Sequence, residues 1–234
     1  MRVGRKLVRL TLDSLEDMPE SCSSCVFWEL DAVRREQVRG HEREEKAAWL
    51  SYALREWGSV GQVLYVDGVY AGHAIWAPAM FLPGSDGFAT APVSPDAVVL
   101  ATAHVAPHLR GGGLGRVLVQ AMAKDLIRRG GIRAVEAFGD TRGRGQHCVL
   151  PADFLLAVGF ATHRTHATHP RMRMELRSAI TWRSEIEHAL SKLVPHPRRV
   201  PGISAPGQGR GTARLSRRSG PAARPGRPHP PATR

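Results

Sequence analysis

The segment Arg110-Gly111-Gly112-Gly113-Leu114-Gly115 constrains the fold of this chain more than any other part of the sequence. It follows residues 97–105, where a continuous apolar run predicts a buried strand, and it precedes residues 114–129, whose apolar side chains recur at helical spacing. A loop in this place directs its amides beyond the N-terminus of the helix, where an anion binds. Glycines let the backbone approach a pyrophosphate closely and Arg110 adds positive charge, although an ordinary tight turn explains the glycines about as well.

Two other kinds of phosphate-binding loop fit the segment poorly. A Walker loop needs a Lys-Ser/Thr pair after its last glycine, and here Arg116-Val117 follows Gly115. A dinucleotide-binding loop opens the first strand and helix of its domain and has an acidic residue about 20 positions later. Glu136 lies at roughly that distance, but several strands and helices are predicted before the loop. The sequence therefore argues against a nucleoside triphosphatase and against a dinucleotide-dependent enzyme.

Hydrophobic periodicity and turn residues predict a mixed α/β fold, with a central sheet of about seven strands flanked by helices. Asp67-Gly68 between two β-rich runs is a strong hairpin signal. The predicted strands are 7–12, 62–66, 69–77, 97–105, 132–138, 160–169 and 171–176, and the predicted helices are 25–38, 42–57, 114–129, 151–158 and 180–193. Parallel pairing is expected where a helix connects two strands.

Residues 195–234 differ in composition from the rest of the chain, with nine Pro, six Gly, nine Arg and no Asp or Glu. Such a segment cannot bury enough apolar surface to offset the entropy lost on ordering, so a disordered tail is predicted. Its nine arginines account for most of the net charge of +12, which leaves the preceding residues nearly balanced. The tail either contacts a nonspecific anionic partner, such as nucleic acid, an anionic membrane or an acidic protein, or has no partner.

No run approaches the roughly 18 apolar residues of a membrane helix, and residues 1–12 lack the apolar core of a signal peptide. A cytoplasmic protein without membrane insertion is expected. Its three cysteines, Cys22, Cys25 and Cys148, do not suit a secreted disulfide framework and are expected to be reduced.

The loop and its surroundings resemble the GNAT superfamily of N-acetyltransferases. Arg110, Gly113 and Gly115 match its signature Arg/Gln-x-x-Gly-x-Gly/Ala between a strand and a helix. Val105-Ala106-Pro107 is similar to the Val-x-Pro that ends that strand, and Gly159-Phe160 is similar to the Gly-Phe that closes the next helix. The order of strands and helices matches that of the family as well, so the resemblance covers about residues 5–177. The sequence most resembles an actinobacterial subgroup of the family. It implies an acetyltransferase domain over 1–177, followed by a C-terminal helix over 178–194 and the tail.

The resemblance implies direct transfer of an acetyl group from acetyl-coenzyme A, as cosubstrate, to an amine, with no metal required. Loop amides would hold the pyrophosphate, and main-chain groups of the preceding strand would pair with the pantetheine arm where two strands splay apart. The implied cofactor-binding residues are Ala103, His104, Val105, Leu109, Arg110, Gly111, Gly112, Gly113, Leu114, Gly115 and Arg116. The acceptor is a small molecule or a protein, and an acyl group longer than acetyl stays open.

The resemblance does not identify the catalytic acid. Many GNAT enzymes have a Tyr that acts as the acid at the position where this chain has Leu155. The acid role then falls to another group, to water or to none. His104, the one titratable side chain in the strand 97–105, is a candidate base or a histidine with a structural role. Cys148 lies just before the helix 151–158, whose N-terminal amides favour a thiolate, and is a candidate acid or nucleophile or a buried structural cysteine.

Cys22 and Cys25 have the spacing of zinc ligands but make only half a site. Cys148 and His147 complete it only if the fold brings that loop beside them, and reduced thiols without a metal are the simpler interpretation. The long, proline-rich loop 78–95 is the predicted acceptor-site loop. Several aromatic residues either line an acceptor pocket or belong to the core: Phe27, Trp28, Trp49 and Trp57.

Two functions stay open at this point. The first is an active N-acetyltransferase. The alternative is a non-catalytic protein that binds coenzyme A and whose basic tail contacts nucleic acid or a protein partner, an interpretation that the missing Tyr favours. Either function is compatible with a homodimer.

Overall fold

A computed structural model describes residues 4–143 and 148–177 of the chain. The strands in these ranges are β1 (Arg5–Arg9), β2 (Gly61–Val66), β3 (Val69–Ala77), β4 (Ala97–Val105), β5 (Ala134–Asp140), β6 (Leu150–Pro151), β7 (Ala161–Arg164) and β8 (Arg171–Glu175). The helices are α1 (Leu12–Glu16), α2 (Glu20–Ser23), α3 (Ala32–Gln37), α4 (Glu42–Glu56), α5 (Leu114–Arg129) and α6 (Ala152–Ala157). The predicted helix 180–193, the tail 195–234 and His147 lie outside the described residues.

The strands form one mixed sheet in the order β1-β2-β3-β4-β5-β8-β7, with β6 beside β5. β4 and β5, which α5 connects, pair in parallel, whereas β1 to β4 form antiparallel pairs. The predicted mixed α/β sheet flanked by helices is therefore confirmed. The hairpin of β2 and β3 turns at Asp67-Gly68, where both residues have positive φ, as the sequence predicted.

Helices cover both faces of the sheet, and apolar side chains are buried between the helices and the strands. α5 and α6 cover one face, where Leu118, Met122 and Leu155 pack on alternate residues of the central strands. α1 and α4 cover the other face, and Leu15 and Leu50 pack there on the intervening strand residues. This arrangement follows from the amphipathic pattern of α5 and from the nearly continuous apolar sequences of the central strands.

Several predicted elements are shorter in the structure, and the physical reason is clear for three of them. The first strand ends at Arg9 because Thr11 caps α1 in a reciprocal pair with Ser14. Within the predicted helix 25–38, the structure forms only α3. The Asp31 carboxylate accepts the backbone N–H of Arg34 and so caps the N-terminus of this helix. β7 covers only the beginning of the predicted strand 160–169, because the His166 ring accepts N–H groups of the residues that follow and closes a turn.

None of the helices within the described ranges is long and apolar enough to span a membrane.

Candidate functional site

β4 and β5 lie side by side only at their first residues. Residues 97–99 of β4 pair with residues 134–136 of β5, and no further pair between the two strands occurs in the described part of the chain. β4 keeps its partner β3 as far as Val105, while β5 continues beside β8 and β6. The two parallel strands therefore diverge, and the backbone of residues 100–105 faces a gap. A strand edge of this kind can pair with an extended ligand.

The glycine-rich loop lies at the open end of this gap, where it begins α5. Gly111 and Gly113 have φ of 81° and 76°, in the left-handed region that favours glycine. Within the described ranges, the N–H groups of residues 111–114 donate to no acceptor, and the three glycines are exposed. The side chain of Arg110 ties the loop to the end of β4 through a 3.1 Å bond from Nε to the Val105 carbonyl. Free amides at a helix N-terminus form a site for an anion.

The last glycine of the signature has a packing role. A Cβ atom at Gly115 would lie 2.7 Å from the Phe154 ring, so a larger residue here would require this ring of α6 to shift. The spacing of the signature thus fixes both the anion-binding turn and the contact between the two helices on this face.

A β-bulge decides the face of the sheet on which His104 lies. Leu100 and Thr102 pair with consecutive residues of β3, so Ala101 is an extra residue in β4. Before the bulge the even-numbered residues of β4 face α5, and after it the odd-numbered residues do. His104 therefore lies on the opposite face, which α1 and α4 cover.

On that face a phenol bridges two imidazoles. His73 and His104 are directly opposite each other in β3 and β4, with ring centroids 5.5 Å apart. The Tyr70 hydroxyl lies 2.7 Å from Nδ1 of His73 and 3.0 Å from Nδ1 of His104. Because a hydroxyl has one proton, it donates to one ring and accepts an N–H from the other, so the two neutral rings hold opposite tautomers.

Both rings are neutral near pH 7. Burial, together with the nearby His104, lowers the pKa of His73 to about 3. Burial and the charge of Arg110 also lower the pKa of His104. A neutral imidazole has a lone pair, so His104 can accept a proton.

The sequence analysis did not predict that Tyr70 and His73 belong to this group. Residues three apart point to opposite faces of a regular strand. Leu64 pairs with Gly72 and Tyr65 pairs with Tyr70, which leaves an extra residue in β3 between them. This second bulge turns Tyr70 to the same face as His73, and no local periodicity predicts it.

Cys148 hydrogen-bonds to another cysteine. Its thiol donates to Cys25 across 3.7 Å, and this contact lowers the pKa of Cys25 and raises that of Cys148. Because Cys148 donates, the contact favours a thiolate at the accepting sulfur, Cys25, rather than at Cys148 as the sequence predicted. The candidate roles of Cys148 as an acid or a nucleophile stay predictions.

Within the described residues, Cys22, Cys25 and Cys148 do not form a three-cysteine group of potential metal ligands. In the described part of the chain, a group of potential metal ligands forms instead from Cys22, His73 and His104, whose ligand atoms lie within 4.8 Å of one another.

Aromatic side chains pack under the loop 78–95. Phe88 of this loop stacks on Trp28 and Phe138 with ring centroids 5.3 Å and 4.3 Å away. Trp28 is 2 % exposed and Trp49 is 8 % exposed, and the Trp49 indole donates to a loop carbonyl. Both tryptophans therefore belong to the core, whereas the loop covers the sheet on the same side as His104.

The model for the acetyltransferase (GNAT) family matches residues 27–144, half of the chain. The chain belongs to the GNAT acetyltransferase family. No curated protein sequence matches it.

Solved structures share the GNAT fold of this chain. The PaiA N-acetyltransferase of Thermoplasma acidophilum, in complex with coenzyme A, is 13% identical with a TM-score of 0.50, and the match covers 74% of this chain and 99% of that one. An N-acetyltransferase of Staphylococcus aureus Mu50 gives the same TM-score of 0.50, at 13% identity, over 74% of this chain and 99% of its own. At 13% identity, the similarity between these structures and this chain is a similarity of fold alone.

The family resemblance predicts that Leu155 occupies the position of the Tyr that acts as the acid in many GNAT enzymes. Leu155 is fully buried in α6, and its side chain holds no proton to donate. Tyr70, which contacts His104 from β3, is a tyrosine on the opposite face of the sheet.

Proposed function

We propose that this protein is an N-acetyltransferase that uses acetyl-coenzyme A and transfers the acetyl group directly to an amine. The observation that carries the proposal is the meeting of the β4–β5 gap with the free amides of residues 111–114 at the start of α5. A pyrophosphate needs a cluster of N–H donors, and a pantetheine arm needs an unpaired strand edge. Membership of the GNAT family and the coenzyme A bound to the PaiA enzyme support it.

In the proposed complex, the free N–H groups of residues 111–114 face the pyrophosphate. The main chain of Ala103, His104 and Val105 pairs with pantetheine. The gap then directs the thioester along β4 toward His104. Main-chain N–H groups on the unpaired edge of β4 can stabilise the oxyanion that forms when the amine attacks.

His104 is the proposed general base. The Tyr70 hydroxyl is hydrogen-bonded to Nδ1 of the His104 ring. When Nδ1–H of His104 donates to the Tyr70 hydroxyl, the lone pair is on Nε2 and is free to accept the proton of the amine. Coenzyme A leaves as a thiolate, and an ordinary thiol pKa of about 8.5 makes such a group able to leave without an acid. The buried Leu155 is consistent with a reaction that needs no tyrosine acid.

The acceptor is proposed to be an amine of a small molecule or a protein that approaches from the face covered by loop 78–95. Ser94 of this loop donates to Glu136 of β5, which fixes the loop beside the gap. Acetyl is the proposed acyl group. The narrower resemblance to an actinobacterial subgroup and the formation of a homodimer stay predictions.

The second candidate is a non-catalytic coenzyme A-binding protein, and the observation that favours it is the same fully buried Leu155. Both candidates predict binding of coenzyme A, so binding alone does not separate them.

Turnover separates them. The full chain would be incubated with acetyl-coenzyme A and panels of small amines and peptides, and the release of free thiol and the mass of each amine would be measured. A gain of about 42 Da on an amine, with a matching release of thiol, is expected for direct transfer to a nucleophile. Tight binding of coenzyme A with no turnover on any amine would support the non-catalytic function.

A further inference from the structure

Three side chains from three separate elements converge beside the proposed acceptor site. Cys22 comes from α2, His73 from β3 and His104 from β4, and their ligand atoms lie within 4.8 Å of one another. Cys22 is 9 % exposed and His73 is 1 % exposed, whereas His104 is half-buried. Cys22 and His73 are therefore shielded from solvent, and solvent reaches the group beside His104.

One thiol and two imidazoles are the ligand types that Zn²⁺ and similar borderline metal ions prefer. Three protein ligands, with a fourth position left for water or a substrate, are typical of zinc sites that take part in chemistry rather than structure. Ligand atoms bound to one tetrahedral zinc ion are about 3.5 Å apart. Side-chain rotations that close the group by about 1 Å would thus complete the geometry.

A further residue orients the two imidazoles. Metal-binding histidines are almost always hydrogen-bonded through their second ring nitrogen, and Tyr70 supplies a hydroxyl within 3.0 Å of both rings. Its oxygen has two lone pairs and can accept an N–H from each ring, which is the arrangement that metal binding requires. Tyr70 therefore serves the metal-free pair and the metal-bound pair alike.

We propose that Cys22, His73 and His104 bind a zinc-type divalent cation. Binding converts the Cys22 thiol to a thiolate and releases its proton to the solvent while the metal–sulfur bond forms. The resemblance to the family implied no metal requirement, and the site is an addition to the coenzyme A site, on the other face of β4 from α5.

The site bears on the proposed acetyl transfer because His104 belongs to both. A metal ion that takes the His104 lone pair removes the proposed base, so the ion inhibits acetyl transfer. This consequence rests on the proposed function, whereas the binding itself does not.

The other two cysteines provide matched controls. Cys25 and Cys148 contact each other through their sulfurs and lie near the group without being members of it. Cys25→Ser and Cys148→Ser therefore remove a nearby thiol of the same chemistry and leave the proposed site intact.

The test is a titration of the reduced, untagged full chain with Co²⁺, which replaces Zn²⁺ and shows thiolate binding by its charge-transfer absorption. The wild type, Cys25→Ser and Cys148→Ser are expected to show the band, and Zn²⁺ should displace it. Cys22→Ser is expected to lose it, and Tyr70→Phe should weaken Co²⁺ binding by about 10- to 100-fold. Circular dichroism and coenzyme A binding without metal establish that each variant is folded.

No band in the folded wild type, or a band that persists in Cys22→Ser, would overturn the proposal. A band that Cys25→Ser or Cys148→Ser abolishes would do the same and assign the metal to that pair. These readouts require no acetyl transfer. If the band behaves as expected and no amine is acetylated, the metal site stands and the proposed function fails.

Discussion

His104 is the residue whose surroundings bear most directly on the chemistry. It follows the bulge of β4, is held by Tyr70 and lies opposite His73. A neutral imidazole in this place, with one nitrogen hydrogen-bonded, is suited to accept a proton from an amine. The bulge thus places on this face the ring that is proposed to remove a proton from the amine.

Replacement of His104 tests that role. His104→Gln is expected to lower kcat by about 10²- to 10⁴-fold, the usual contribution of a general base. The Kd for coenzyme A should change little, because the proposed cofactor contacts of this residue are through its main chain. Steady-state kinetics and calorimetric titration measure the two quantities.

His41→Gln provides the control, since His41 is exposed at the start of α4. Its kcat should equal that of the wild type. An unchanged kcat in a folded His104→Gln variant would assign His104 a structural role only.

At the scale of the element, α5 is flanked at both ends by a glycine of positive φ. Gly113 at the N-terminus has φ 76° and Gly130 at the C-terminus has φ 77°. Alanine at Gly113 is strained by about 1–2 kcal/mol, because its Cβ disfavours the left-handed backbone. Alanine at Gly130 is also strained, because the ψ of 171° at this position gives a backbone that essentially only glycine adopts. The electrostatic surroundings differ, however, since the N-terminus carries free N–H groups and the C-terminus carries free carbonyls.

We therefore expect both Gly113→Ala and Gly130→Ala to lower the melting temperature, and we expect the two variants to differ in coenzyme A binding. Gly113→Ala should raise the Kd about tenfold or more, since the loss of one hydrogen bond to a charged phosphate costs about 1.5–3 kcal/mol. Gly130→Ala should leave the Kd unchanged. Equal effects on the Kd in calorimetry would contradict the assignment of the pyrophosphate to this end of α5.

At the scale of the whole molecule, buried charges connect strands that are distant in sequence. Arg173 of β8 donates to Asp96, just before β4, and to Glu136 of β5, each within 3.0 Å. Burial alone would raise the pKa of Glu136, but hydrogen bonds from Ser94 and Arg173 and the charge of Arg171 outweigh it and lower the pKa. The hydrogen bond from Arg173 also lowers the pKa of Asp96.

A lowered pKa in the folded state means that these carboxylates stabilise the fold above their ordinary pKa values, about 4, and that this contribution is lost as the pH falls through the folded values. Glu136→Gln should melt at a lower temperature than the wild type at pH 7. The difference between the two should shrink below about pH 4.

Thermal melts followed by circular dichroism between pH 7 and pH 3 provide the test. Glu16→Gln changes an exposed carboxylate in α1 and should keep a small, constant difference from the wild type. A gap between Glu136→Gln and the wild type that widens toward acid pH would show that the ion network does not stabilise the fold in the way described.

The basic tail is the other feature of the whole molecule that can be tested. Removal of residues 195–234 is expected to leave the melting temperature and the Kd for coenzyme A unchanged, because this composition contributes little to a core. If the tail contacts nucleic acid, the truncated chain should lose a binding that weakens steeply with salt. Electrophoretic mobility shifts at several salt concentrations would measure it, and unchanged nucleic-acid binding would exclude the tail as the contact.

The sequence by itself determined the features that depend on neighbours along the chain. The Asp67-Gly68 turn, the helical register of α5 and the Arg110 to Gly115 loop each rest on local backbone preferences, so they predicted the mixed sheet and the anion-binding turn.

Only the tertiary structure decided what surrounds His104. Bulges in β3 and β4 depend on how each strand pairs with its neighbours, and the pairing of two strands is a non-local property that periodicity does not encode. The bulges turned Tyr70 and His104 to the same face as His73, and packing of α2 brought Cys22 to them. The pairing of Cys25 with Cys148 across 123 positions likewise required the complete fold.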